Sequence, residues 1–218
     1  MTSSSPEYRL HCFAQSGNSY KAALMLELAG AEWQPVWVDF FNGGTRTPDY
    51  QSLNVMAEAP VLEHGDRTLA QSGVILDYLC DRLGVFAPRD DDERREALRW
   101  TLWDNHKLTG SIATYRWMLN FAKPGSIDPA VLAYMKSRSW AALKVLQKHL
   151  KGRDFVVGDR PTTADLSIVG YLYFPTEFGL DWAEFPAIQV WTERIAALPR
   201  WKHPYDLMPG HPLPAKAA

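Results

Sequence analysis

Apolar residues follow two rhythms along this chain, and the changeover falls near residue 90. Before it the runs are short. Tyr8 to Phe13 alternates loosely, as a strand does, and Val36-Trp37-Val38-Asp39-Phe40 reads as a second strand. Between them the polar loop Gln15-Ser16-Gly17-Asn18-Ser19 leads into a helix. Its apolar positions Ala22, Ala23, Leu24, Met25, Leu26, Leu28 and Ala29 are dense enough for burial on more than one face, and Gly30 is a natural stop. Strand, helix, strand at this spacing predicts two parallel strands joined by a right-handed crossover. A long loop is expected from Phe41 to Ala59. Pro60 then opens the apolar run Val61-Leu62-Glu63; having no N–H, it marks a strand start or bulge, and Ala59–Pro60 is a place where a cis bond is admissible. The turn His64-Gly65-Asp66-Arg67 and the segment Thr68-Leu69-Ala70 complete an antiparallel hairpin. From Ser72 onward, Ile75, Tyr78, Leu79 and Leu83 fall on one face of a helix packed on the sheet.

After the changeover strand signals disappear. Gly84 to Asp92 has the breakers and charge of a connector. Glu93 to about Phe121 is a long helical segment carrying Leu98, Trp100, Leu102, Trp103 and Leu108; Ala130 to Leu150 and Ala187 to Leu198 are two more. Thr162-Thr163-Ala164-Asp165 has the form of a capping box, with Asp in place of the usual Glu or Gln. The proline-rich tail from His203 to Ala218 is expected to run extended over the surface. The order βαβ then ββα is the thioredoxin-like arrangement, so the expected fold is α/β plus all-α. A thioredoxin-like domain spans 1–83, a linker 84–92 and a helical domain 93–218.

Composition narrows the function. The chain has 218 residues, 46% of them hydrophobic, with nine Trp, nine Tyr and nine Phe, ample for a buried core. A formal net charge of -2 gives no bulk attraction to nucleic acid or anionic lipid. The first residues lack the order of a secretory signal and no apolar stretch approaches the ~18 residues of a membrane span, so a cytoplasmic protein is expected. Cys12 and Cys80 form no Cys-x-x-Cys pair and the six histidines no cluster, so no metal site is expected.

The chemistry-bearing feature is the pair Glu58-Ala59-Pro60-Val61-Leu62-Glu63 and Gln71-Ser72. Ser72 is a preferred helix cap, and the first turn behind it offers unpaired N–H groups and a positive dipole end that suit a carboxylate. With Gly158-Asp159-Arg160-Pro161-Thr162-Thr163-Ala164-Asp165 downstream, these motifs resemble the cytosolic glutathione transferase family over nearly the whole chain. The features are those of serine-type members, zeta-, theta- or nu-like, with the class left open.

The resemblance implies a glutathione site in the first domain. Ala59, beside Pro60, would pair its backbone with the cysteinyl part; Gln71 and Ser72 would hold the γ-glutamyl group; Arg46 is the nearest cation for the glycyl carboxylate, since Thr45 stands where a His or Lys is common. Gln71 lacks the negative charge of the more frequent Glu. Ser16, five positions before Lys21, resembles the residue that activates the thiol, with Asn18 able to donate to the same sulfur and Ser19 serving as the helix cap. A plain turn residue at Ser16 and a plain cap at Ser72 are the structural alternatives. Without a cysteine in this loop, a covalent mixed-disulfide mechanism is disfavoured. An electrophile would meet Lys107, Ser111 and Tyr115 of the helical domain, although aromatic stripes at helical spacing also serve as core. The implied activity is conjugation of the glutathione thiolate to a hydrophobic electrophile. Glutathione-dependent disulfide reduction or peroxide reduction, and non-catalytic glutathione binding, are the alternatives. The family's members are usually homodimers.

Overall fold

The computed structural model describes residues 6–213. Among them two compact units divide the chain: one runs to Val85 and takes in Leu198–Pro212, and the other is Phe86–Ala197.

The first unit opens with β1 (Tyr8–Cys12), α1 (Gly17–Ala29) and β2 (Trp33–Trp37), followed by α2 (Pro48–Leu53), the hairpin β3 (Val61–His64) and β4 (Arg67–Ala70), and α3 (Ser72–Leu83). The strands form one sheet in the order β2-β1-β3-β4. β1 pairs parallel with β2 and antiparallel with β3, placing Leu10 beside Pro35 on one side and Leu62 on the other. Alternation along β1 divides its residues between two faces. Tyr8, Leu10 and Cys12 are buried on one, while His11 meets the ring of Tyr50 from α2 on the other, where Phe13, Val38, Tyr50 and Val61 form a cluster. α1 and α3 pack together, and α1 is buried almost throughout, as its dense apolar run requires.

Three departures from the sequence reading have local causes. The second strand lies three residues earlier than Val36–Phe40, because β2 is an edge strand and tolerates Pro35, whose missing N–H costs no ladder bond there. Beyond it Phe40–Asn42 turns into a 3-10 helix that stacks Phe40 on Phe13, with ring centroids 4.8 Å apart. The expected long loop also contains α2, whose start is capped by Thr47 Oγ1 accepting from Tyr50 N–H at 3.3 Å, with Pro48 in its first turn. Third, the tail is not simply extended. It returns to the first unit through a short helix, α10 (Pro204–Leu207), and on either side of it Ala14 N–H donates to Pro209 O at 2.8 Å and Tyr20 OH donates to Lys202 O at 2.8 Å.

The second unit contains α4 (Asp91–Trp103), α5 (Thr109–Asn120), α6 (Pro129–Leu150), α7 (Thr163–Ile168), α8 (Pro175–Phe178) and α9 (Pro186–Ala196); the short α10 (Pro204–Leu207) is the tail helix just described. Asp90 caps α4 by accepting from Asp92 and Glu93 N–H at 3.0 and 2.8 Å. The segment expected as one helix to Phe121 is broken by a π-helical turn, Asp104–Leu108, where the buried Asp104 accepts from Thr109 and Ser167 hydroxyls at 2.8 and 2.7 Å. Trp100 and Leu108 are core, whereas Leu98 and Leu102 face solvent. The capping box stands as read: Asp165 Oδ2 accepts from Thr162 N–H at 2.8 Å. A buried ion pair, Arg116 with Glu177, ties α5 to α8 beneath the ring of Phe174, 4.1 Å from the guanidinium carbon.

Candidate active site

In the first unit, two helix N-termini are brought together by the sheet. The chain leaves β1 through Phe13 and a turn in which Ser16 N–H donates to Phe13 O at 3.0 Å. Ser16 has extended backbone and is the N-cap of α1, its Oγ accepting from Ser19 N–H at 3.1 Å. The cap is therefore Ser16 and not Ser19, because Ser19 lies inside the first helical turn. Accepting that bond leaves the Ser16 hydroxyl hydrogen for donation elsewhere. Ser16 is only 5% exposed, so a partner would meet it in a largely desolvated setting. The hydroxyl of Ser19 is wholly buried and has no hydrogen-bond partner.

The other N-terminus belongs to α3. The Ala59–Pro60 bond is cis, Pro60 is buried, and Ala59 remains half-buried at its edge. Gln71 adopts φ 69, a left-handed conformation that L-residues rarely take, and occupies the cap position without a capping side-chain bond. Ser72 is thus the first residue of the helix, not its cap. Its hydroxyl instead donates to Asn18 Oδ1 at 3.4 Å, which links the α3 end to the α1 end. Free N–H groups at both N-termini and a shared hydroxyl–amide contact make this corner suited to an extended, anionic small molecule.

Residues from α2 complete the corner, and the sequence reading passed over them. Tyr50 OH and Asn54 Nδ2 both donate to Glu58 O, at 3.0 and 2.8 Å, and Asn54 Oδ1 accepts from Met56 N–H at 3.1 Å. Gln71 Nε2 donates to Glu58 Oε2 at 2.8 Å and lies 3.0 Å from Met56 Sδ. Thr47-Pro48-Asp49, a cap followed by proline and an acidic first turn, was the signal for α2. Arg46 is exposed at the end of the 3-10 turn Gly44–Arg46, and Thr45 is buried. Burial pushes the Tyr50 phenol up to about 12, with a smaller push from Cys12, and burial pushes the Cys12 thiol itself to about 12. Burial thus disfavours the charged form of both groups.

Lys107, Ser111 and Tyr115 lie in the helical unit. Ser111 Oγ donates to Lys107 O at 2.6 Å and to Leu108 O at 3.1 Å, and Tyr115 is buried edge-on to Trp140. Lys107, in the π-helical turn, is exposed. Among the described residues no group of three or more His, Cys, Asp or Glu is arranged to hold a metal, and no helix is long and apolar enough to cross a membrane.

A mixed four-stranded sheet with a cis proline between two helix N-termini, followed in the chain by a helical unit with a buried capping box, defines a protein of the glutathione-transferase class. Comparison with known proteins agrees. Family models match residues 7–81 as a glutathione S-transferase N-terminal domain and residues 130–199 as a glutathione S-transferase C-terminal domain. The chain is 34% identical to a possible glutathione S-transferase from Rhodopseudomonas palustris, with a TM-score of 0.85 over 91% of this chain and 98% of that one. It is 28% identical to the disulfide-bond oxidoreductase YfcG of Escherichia coli, over 86% of this chain and 89% of that protein. A glutathione transferase from Burkholderia graminis, solved with two glutathione molecules bound per subunit, is 25% identical with a TM-score of 0.78 over 89% of this chain and 85% of that one. The chain belongs to the glutathione S-transferase family.

Proposed function

We propose that the protein binds glutathione in the corner between the α1 and α3 N-termini and transfers its thiolate to a hydrophobic electrophile. The observation that supports this reading is the Ser72 to Asn18 contact, because it joins a residue proposed for the carboxylate to one proposed for the sulfur. In this reading Ser72 and Gln71 hold the γ-glutamyl group, the backbone of Ala59 beside Pro60 pairs with the cysteinyl residue, and Arg46 meets the glycyl carboxylate. Ser16, with Asn18 beside it, donates to the sulfur. The thiol proton passes to solvent, and the sulfur lone pair forms a carbon–sulfur bond while the leaving group departs with its electrons.

A thiol of this kind has a pKa of about 8.5, and each unit of lowering needs about 1.4 kcal/mol of preferential thiolate stabilisation. One hydroxyl hydrogen bond to an anion contributes ~1.5–3 kcal/mol, and the α1 N-terminus a further ~0.3–1 kcal/mol. Together they suffice to place most of the bound thiol in its reactive form near neutral pH. The test is Ser16→Ala assayed with 1-chloro-2,4-dinitrobenzene: kcat/KM should fall by about 10²-fold, in the range for loss of one preorganised donor, and unchanged turnover refutes the role of Ser16. Lys107, Ser111 and Tyr115 are the residues proposed for the electrophile; Lys107 is exposed, the Ser111 hydroxyl donates to backbone carbonyls and Tyr115 is buried. A homodimer is part of the same reading; light scattering should give twice the chain mass of 24.7 kDa.

A second reading, glutathione-dependent disulfide reduction, is favoured by Asn18 and by the likeness to the disulfide-bond oxidoreductase of E. coli. There the thiolate attacks a disulfide sulfur, expels a thiolate, and a second glutathione resolves the mixed disulfide, so two thiols are oxidised for the two released. Rates on bis(2-hydroxyethyl) disulfide and on the aryl chloride, measured side by side, separate the two readings. Glutathione binding without turnover on either would favour a binding module.

A further inference from the structure

The cap residue of α3 is a neutral amide, yet the structure does not leave that position without negative charge. Glu58 reaches it from the loop ahead of the cis proline, its Oε2 accepting from Gln71 Nε2 at 2.8 Å. Both residues are exposed, and two features hold the contact. The Glu58 carbonyl is gripped by both Tyr50 OH and Asn54 Nδ2, so the backbone that carries the carboxylate is fixed to α2. Gln71, for its part, is held at φ 69, which restricts where its side chain points.

We propose that Glu58, acting through Gln71, is the positioning residue that selects ligands carrying a free α-ammonium at the γ-glutamyl end. The inference rests on the glutathione reading above. Chemically it has two parts. By taking one amide hydrogen, while the other lies toward Met56 Sδ, the carboxylate commits Gln71 Nε2 and turns Oε1 into the group that accepts from the ligand. It also supplies, one hydrogen bond away, the negative charge that an ammonium requires and an amide oxygen lacks. A charge-assisted bond of this kind is about twice as strong as a neutral one. The α-carboxylate of the same γ-glutamyl group would be met by the Ser72 N–H and hydroxyl, so the two charges of one amino-acid head group are read by two adjacent elements.

The experiment compares two ligands by titration calorimetry on the full chain: glutathione, and glutaryl-cysteinyl-glycine, which lacks only the ammonium. In the unaltered protein glutathione should bind about tenfold more tightly than the analogue, the discrimination ~1.4 kcal/mol confers. Glu58→Gln should erase most of that preference, weakening glutathione 5- to 10-fold in the order-of-magnitude sense while moving the analogue less than about twofold. Glu58→Asp should restore part of it. The double variant Glu58→Gln with Gln71→Glu, which moves the charge to the cap position, should restore most of it. Equal weakening of both ligands would show that Glu58 only supports the loop and overturns the proposal, as does an unchanged preference in Glu58→Gln. If the unaltered protein binds neither ligand, the glutathione reading itself fails, an outcome distinct from failure of Glu58 alone.

Discussion

The sharpest stability prediction concerns Asp165, a carboxylate wholly buried in the helical unit. Its Oδ1 accepts from Val156 N–H at 2.8 Å and from Trp191 Nε1–H at 2.9 Å, and its Oδ2 from the N–H and hydroxyl of Thr162 at 2.8 and 3.0 Å. Burial, the largest influence, raises its pKa; the four hydrogen bonds oppose that rise without cancelling it. Asp165→Ala strips the acceptor from three buried N–H groups, those of Val156, Thr162 and Trp191. At ~1–3 kcal/mol for each group left unsatisfied, the gross loss is about 3–9 kcal/mol. Release of the desolvated charge offsets part of it, which points to the lower half of that range. Against a typical total of ~5–15 kcal/mol such a loss removes about a fifth or more of the stability. Asp165→Asn keeps the shape and one accepting oxygen, but its NH₂ faces Thr162 N–H, so a smaller loss of about 1–3 kcal/mol is expected. Urea unfolding followed by tryptophan fluorescence is the assay, with Trp191 reporting from within the cluster. An Asp165→Ala midpoint equivalent to less than about 1 kcal/mol of loss at unchanged slope would refute the reasoning; if that variant does not accumulate in soluble form, the Asn variant carries the same test.

Two further outcomes follow from the first unit. Burial is the largest influence on Glu27 and raises its pKa, but hydrogen bonds from Lys202 and Trp33 and the charges of Lys202 and Arg200 outweigh it, and the net pKa is lowered. The folded protein therefore holds that proton less tightly than the unfolded chain, so the stabilisation is present above the unfolded value of about 4.3 and is lost as pH falls through the folded one. Thermal melts of the native protein and Glu27→Gln should differ at pH 7 and converge as the pH drops below about 4; a gap that widens in acid would contradict the sign. The Cys12 thiol, buried and pushed up to about 12, should resist Ellman's reagent at pH 8 until the protein is unfolded in guanidinium. Rapid native labelling of Cys12, located by peptide mapping, would show that β1 opens readily.

Local rules determined a good deal of this protein. The dense apolar run before Gly30, the hairpin around Gly65-Asp66, the helix after Gln71 and the Thr162–Asp165 box are all short-range patterns, and each forms where its residues imply. The order of these elements was enough to suggest the family, and Ser16, Asn18 and Ser72 could be nominated because helix starts are written in a few adjacent residues. What the chain could not reveal depends on neighbours far apart in sequence. Pro35 is acceptable in a strand only because that strand lies at the sheet edge. The tail from Leu198 looked like an extended strap, yet it groups with the first unit, since Pro204, Leu207 and Met208 gain more by burial than by solvation. Ser72 hands the cap position to Gln71 and bonds to a residue 54 positions away. The carboxylate beside the neutral Gln71 comes from Glu58, across a cis proline and a hairpin. Periodicity records which face a residue shows; only the folded chain decides which other residue that face meets, because such contacts are made across the turns and strands that lie between.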